Sequence, residues 1–364
     1  MTPRFLGLML TTIALLVGPA IAADAPASAP DTKGEWVPIP ANRGHLGSLA
    51  VDRATGNLFW SGWHSSGVQM SSDQAKTFAR VTGPKFDGNP FSVLALFASA
   101  EGNKIAAFCS QKGTLSGHSL DGGKTWTTWT LEGGPIPGFD YGVVDWDSGT
   151  IFAFPHEEYK SYLSTDMGKT WTHLDLGYPA GTNNPHQAGQ YKYYQPGIGA
   201  FSATELVYSQ EKGIQRSDDA GKTWAKVADY CCVGQVQVLN KVGYWLAKKE
   251  TDGKWSGILL KTEDKGKTWQ PVGKPIDNGD SFYMSLPRFG KDAKHILIAA
   301  AAGIMETTDG GETWKLAVRY PAPFAAKRLA NCVDTTDCLE YDPIHDVFYM
   351  FIWIDGQRTW KYQR

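Results

Sequence analysis

The chain has 364 residues, a formal net charge of −2 and Lys and Arg dispersed along its length, which excludes the concentrated basic surface that nucleic-acid binding requires. Hydrophobic residues make up 42% of it and the mean hydropathy is −0.30, values that fit a globular chain, and length alone suggests two domains.

Arg4, an apolar stretch from Phe5 to Val17 and then Ala20-Ile21-Ala22 have the form of a Sec-type signal peptide over 1–22. The stretch is too short for a membrane span, no second one follows, and no Cys follows the cleavage site to carry lipid. The expectation is an exported chain, periplasmic or secreted, with no membrane span. Residues 23–33, rich in Ala, Pro and Ser, read as a flexible leader, and GEWVPIP (34–40) as a strand.

Four short apolar runs follow, each of strand length: GSLAVD (47–52), NLFWSGW (57–63), GVQMSS (67–72) and TFARV (77–81). The third and fourth are joined by SSDQAKTF (71–78), and this phrase returns as SLDGGKTW (119–126), STDMGKTW (164–171), SDDAGKTW (217–224), TEDKGKTW (262–269) and TTDGGETW (307–314). A unit recurring every 45 to 53 residues is one supersecondary element that must stack on its copies to bury a core. Within the phrase, Asp accepts backbone N–H bonds, Gly supplies a positive φ, and β-branched Thr followed by a large aromatic starts the next strand. In the first copy Ala75 and Phe78 replace Gly and Trp.

This Ser/Thr-x-Asp-x-Gly-x-Thr-Trp phrase resembles the Asp-box, or BNR repeat, of sialidases, sortilin-like receptors and photosystem II assembly-factor propellers. Five copies are complete and the resemblance covers nearly all of the mature chain. It implies a β-propeller whose boxes lie on the outer, non-catalytic side, so Asp121, Asp166, Asp219, Asp264 and Asp309 are expected to be structural.

The sixth repeat runs SFYMSL, HILIAA, GIMETT, TWKLAV, and the chain then adds CLEYD, DVFYMFIW and RTWKYQ, three strands of a further blade. GEWVPIP copies the run that follows a box and supplies the missing fourth. The expected fold is therefore all-β, a seven-bladed β-propeller of four-stranded blades spanning 34–364 as a single domain, its last blade closed by the N-terminal strand so that no sheet edge is left free. An alternative makes WIDGQRTW (353–360) a seventh, degenerate box.

The inter-blade connections are long, irregular and aromatic: 83–90, 133–141, 177–197, 273–283 and 320–332. In propellers of this kind they gather on the face opposite the boxes, where binding residues concentrate. Tyr191, Tyr193, Tyr194 and His186 in the third of them, with Gln190, and Arg43 and Arg328 elsewhere on that face, are candidate ligand-binding residues. Tyrosines offer flat apolar area with a polar tip, suited to sugar rings or to a partner's side chains, and equally able to pack on one another.

Carboxylates on that face include Asp87, Asp140, Glu157, Glu158, Asp277 and Asp280, and a glycosidase would need two of them across the channel. Asp87, Asp140 and Asp280 are the catalytic candidates. The sialidase pattern implied by the resemblance, three arginines with an Arg-Ile-Pro motif and a Tyr–Glu pair, is incomplete: Arg43 stands in IPANRGHLGS, Arg288 falls toward the box side, and Arg216 in the strand before a box. His45, His64, His156 and His186 fall in loops of the same face and are the candidate ligands for a transition metal, although no HxH or HxxxH pair fixes two of them locally. No other cofactor is expected.

Five cysteines in an exported chain call for a pairing account. Cys332 and Cys338 bracket VDTTD and are the expected disulfide; adjacent Cys231 and Cys232 form a strained vicinal disulfide or pack as two thiols; Cys109 is a small buried hydrophobe. The reading that results is an exported recognition or scaffold module, taken as a monomer, that binds a glycan or protein partner through its inter-blade loops. The alternatives are a glycoside hydrolase or lyase and, third, a metal-dependent oxidoreductase or metal-binding protein.

Overall fold

A computed structural model describes residues 34–39, 47–62, 67–82, 95–109, 116–130, 138–155, 161–174, 176, 197–210, 213–281, 284–320, 338–354 and 357–364. The signal peptide and leader expected over 1–33 lie outside these residues. Among them the chain forms seven antiparallel sheets of four principal strands each, arranged as the blades of a propeller. Blade 1 comprises Gly47–Asp52, Asn57–Gly62, Gln69–Ser71 and Ala79–Arg80, and the next five repeat this order. Blade 7 takes Leu339–Asp342, Val347–Ile354 and Gln357–Gln363 from the end of the sequence and Trp36–Pro38 from its start, with Val37 opposite Lys361.

That pairing removes WIDGQRTW from the role of a seventh repeated turn. The segment joins the second and third strands of blade 7, whereas every repeated turn joins a third strand to a fourth. SFYMSL (281–286) also shifts. The first strand of blade 6 is Arg288–Phe289, because Pro287 has no N–H to give to the ladder, although Ser285 still receives Ala299 N–H at 2.8 Å on its Oγ.

The repeated turns share one hydrogen-bond pattern. In each, the Ser or Thr hydroxyl donates to Asp Oδ1 at 2.6 to 2.8 Å and accepts the N–H of the Gly, or of Ala75, at 2.8 to 2.9 Å. The motif Thr then donates both its N–H, at 2.9 to 3.0 Å, and its hydroxyl, at 2.5 to 2.7 Å, to the same carboxylate. The position after Asp-x must have a positive φ, +84° at both Gly123 and Gly168 and +66° at Ala75.

The same glycines bring neighbouring blades together. A β-carbon on Gly123 of blade 2 would meet Phe59 of blade 1 at 2.4 Å, one on Gly221 of blade 4 would meet Leu174 of blade 3 at 2.9 Å, and one on Gly266 of blade 5 would meet Val207 of blade 4 at 2.8 Å. The core is accordingly a ring of apolar layers between blades: Leu58 and Ala75 with Tyr349, Phe59 with Leu96, Phe108 and Trp129 with Phe139, Phe152 with Tyr208, Val207 with Trp245, Leu259 with Ile296, and Leu297 with Phe348. Each layer removes two sheet faces from water, and no blade buries its own pair alone.

Candidate functional site

The repeated turns define one face of the ring, and the described parts of the inter-blade connections and second-to-third-strand turns lie on the other. The described part of this loop face is concentrated on blades 5 and 6. Here the strands Val242–Thr251 and Lys254–Thr262 pair without interruption from Gly243 opposite Thr262 to Thr251 opposite Lys254. The hairpin reverses at Asp252 and Gly253, whose φ values of +51° and +75° match the mirror-image turn that an Asp-Gly pair favours. A short fifth strand, Ile276–Asp277, pairs with Ser256 and Gly257, and Trp255 N–H donates to Gly279 O at 2.7 Å. Asn278, 1% exposed, anchors this flap to blade 6 by accepting Ala301 N–H at 2.6 Å.

On the first strand of this hairpin, opposite Gly257, sits Lys248. Strand alternation sets it on the face of Tyr244 and Leu246, and its N–H donates to Cys231 O at 2.9 Å. Only 6% of the residue is exposed. Burial lowers its ammonium pKa to about 7, against the upward influence of Cys338 and Cys231 beside it. An amine in this range is partly unprotonated at neutral pH and can accept a proton or attack a carbonyl. The alternation of VGYWLAKKET, with Lys in register with two apolar residues, is the signal that would have singled it out.

The cysteines bear on both disulfide readings. Cys109, Cys231, Cys232 and Cys338 are thiols. Cys232 is bridged to Ala247 and packs among Val207, Ile214 and Trp245, where burial pushes its thiol pKa far up. In such extended backbone its neighbour Cys231 projects to the opposite side, toward Lys248, so of the two readings of this pair the structure shows two thiols and not a vicinal disulfide. Cys338 is buried against Leu297, Val318 and Met350 between blades 6 and 7 as a thiol, not as half of a bridge to Cys332, which lies outside the described residues.

Of the catalytic candidates, Asp140 is half-buried on the first strand of blade 3, at the register shift between Phe139 and Tyr141. Asp280 is exposed on the blade 5–6 connection, with Lys254 Nζ at 2.6 Å. They belong to different sectors of the ring. Asp87, Tyr191, Tyr193, Tyr194, Arg43 and Arg328 lie outside the described residues, as do His45, His64, His156 and His186. Among the described residues no three His, Cys, Asp or Glu side chains are grouped to hold a metal ion. No helix there is long and apolar enough to cross a membrane.

The carboxylates of the repeated turns are saturated. In Asp121 the Thr125 hydroxyl and N–H, with Ser119, lower the pKa to about 2, and in Asp219 the N–H and hydroxyl of Thr223, with Ser217, do the same. In Asp73, Asp166 and Asp264 burial pushes the other way and the equivalent hydrogen bonds outweigh it. Such acids stay ionised and occupied, unsuited to proton transfer near neutral pH.

No family model matches the chain, and no curated protein matches it in sequence. Solved structures match it in fold. An ancestral GH74 enzyme superposes with a TM-score of 0.50 at 12% identity, covering 93% of this chain and 51% of that one. The β-propeller domain of Myceliophteria thermophila Cps50 (Swd1) has a TM-score of 0.50 at 11% identity, covering 93% and 100%. YCF48 bound to a D1 peptide gives 0.49 at 13%, covering 93% and 98%. The first two likenesses show the β-propeller fold alone and leave function to the residues of the site.

Proposed function

We infer that the chain is an exported Asp-box propeller that recognises a glycan or a protein partner through its loop face. The observation that carries this reading is the division of labour between the two faces. On the turn face every repeated carboxylate is consumed by its own turn, whereas on the loop face the repeat is broken by added structure, the hairpin end at 249–257 with a fifth strand at 276–277 that the other sheets lack among the described residues. Its rim is polar and exposed, with Lys249, Glu250, Thr251, Asp252 and Lys254 at the hairpin end. The turn geometry supports the Asp-box family reading, and the signal-like segment 1–22 supports a periplasmic or secreted location.

The test is a binding screen of the secreted protein against immobilised oligosaccharides and peptides, with product analysis of every hit. Binding without turnover, weakened when Tyr191, Tyr193 and Tyr194 are replaced by alanine while Tm is nearly unchanged, is the expected result. Turnover abolished by Asp87→Asn, Asp140→Asn or Asp280→Asn would establish a hydrolase or lyase instead.

A further inference from the structure

At its turn-face end the central channel is crossed by side chains. Arg53, just beyond the first strand of blade 1, donates from Nε to Gly290 O of blade 6 at 2.7 Å and from Nη1 to Ala100 O of blade 2 at 3.2 Å. Arg288 of blade 6 donates from Nε to Leu339 O at 2.8 Å and pairs through NH2 with Glu340 Oε1 at 2.6 Å, while Glu340 Oε2 accepts Val51 N–H at 3.2 Å. These groups and Gln237 enclose a cavity of about 40 Å³, floored by Leu96, Phe97 and Phe289. A single water needs about 10–15 Å³ by the same measure, so the space suits a few atoms and not a sugar ring.

The polar lining is unbalanced. Two guanidinium groups face one carboxylate, and Glu340 is committed to Arg288 and to a backbone N–H. Arg53 directs two of its nitrogens at carbonyls and makes no ion pair among the described residues; burial lowers its pKa, offset in part by the charge of Asp292. Gln237, 4% exposed, lines the same cavity, and its Nε2 has no hydrogen-bond partner among the described residues. A buried amide donor without an acceptor costs roughly 1–3 kcal/mol. Glu340 being committed, the lining has room for a second acceptor carrying negative charge.

We propose that this cavity is an anion site, which takes a small carboxylate or a carboxylate-sized monovalent anion between Arg53 and Gln237. A planar carboxylate offers two acceptor oxygens, one for the guanidinium and one for the amide, and its charge balances the lining. The source is either a free small acid or the terminal carboxylate of a peptide entering from the turn face. The site is separate from the loop face, so its fate is independent of the recognition reading.

The experiment uses the full mature chain. Crystals soaked in bromide are expected to show an anomalous peak in the cavity beside Arg53 and Gln237, and acetate is expected to raise Tm in a saturable way. Gln237→Met, which removes the orphaned amide at nearly constant volume and therefore folds, is expected to weaken acetate at least tenfold. Gln237→Glu, which supplies an internal carboxylate, is expected to abolish the response. N-acetylglycine binding with N-acetylglycinamide inert would identify a terminal carboxylate as a competent ligand; a response to acetate alone would assign the site to free small acids. Water alone in the cavity of bromide-soaked crystals, or an unchanged acetate response in Gln237→Glu, would overturn the proposal.

Discussion

Gly168 of blade 3 and Trp129 of blade 2 approach so closely that a β-carbon on the glycine would stand 2.2 Å from the indole Cδ1. Trp129 is 1% exposed, donates Nε1–H to His118 Nδ1 at 2.9 Å and meets Trp171 edge-on at 5.7 Å, so it has nowhere to retreat. Gly168→Ala is expected to lose about 1–2 kcal/mol for the left-handed backbone and about 1–3 more for overpacking. Gly122→Ala is the control. Its φ is +71° but its nearest neighbour would be 3.5 Å away, so only the backbone part is expected. Urea unfolding of the two variants isolates the blade-to-blade contact by difference.

The repeated carboxylates set the acid limit of the ring. Their pKa values are lowered in the folded state, to about 2 in Asp121 and Asp219, against roughly 3.9 in the unfolded chain. The unfolded state therefore binds protons first, and stability falls as pH drops. The contribution is fully present above about pH 4 and is lost as pH falls toward 2. Urea midpoints measured from pH 7 to pH 2 are expected to be flat at first and to drop below pH 4. Asp121→Asn is expected to lower the midpoint at pH 7 and to flatten the acid limb, because the amide cannot accept all of the bonds now made by Thr125 and Ser119.

Lys248 works in the opposite sense at the alkaline end. Its folded pKa of about 7 lies below the unfolded value, so between about pH 7 and 10 the unfolded chain holds the extra proton and stability rises with pH. At pH 7 the burial of this amine costs roughly 3–5 kcal/mol by linkage. Lys248→Met is expected to raise Tm at neutral pH and to abolish the rise toward pH 10. A Tm that falls, with the alkaline rise retained, would show that the amine is not the titrating group.

The thiols give a chemical prediction. Unfolding without reductant in the presence of iodoacetamide is expected to alkylate Cys109, Cys231, Cys232 and Cys338, detected by peptide mass, and dithiothreitol is expected to leave Tm unchanged. Recovery of Cys231 and Cys232 as one unalkylated, bridged peptide would restore the vicinal disulfide.

The blade count and ring closure were legible in the chain because their causes are short-range. The repeated turn completes its hydrogen bonds within seven residues, from Ser71 to Thr77 for example, so each copy announces itself. The strand missing after RTWKYQ was legible for the same reason, since GEWVPIP carries the signature of a run that follows such a turn. Where the reading failed, the deciding neighbour was remote. Cysteine spacing suggests a bridge at 332–338 and leaves 231–232 open between a bridge and two thiols, whereas the directions of Cys232 and Cys338 are set by Trp245 and Leu297 on other strands. Lys248 does not stand out among the lysines of the sequence because its burial brings together Cys231 and Cys338, both remote in the chain.

By itself the sequence determined the unit, its number of copies and the piece that completes the ring, because turn chemistry and strand alternation act over a few residues. Tertiary structure alone decided which glycine meets which aromatic ring, which lysine loses its water, and that Arg53 reaches Gly290 across 237 residues of sequence. Those are consequences of desolvation and close packing, and both exist only once the seven blades have closed around the channel.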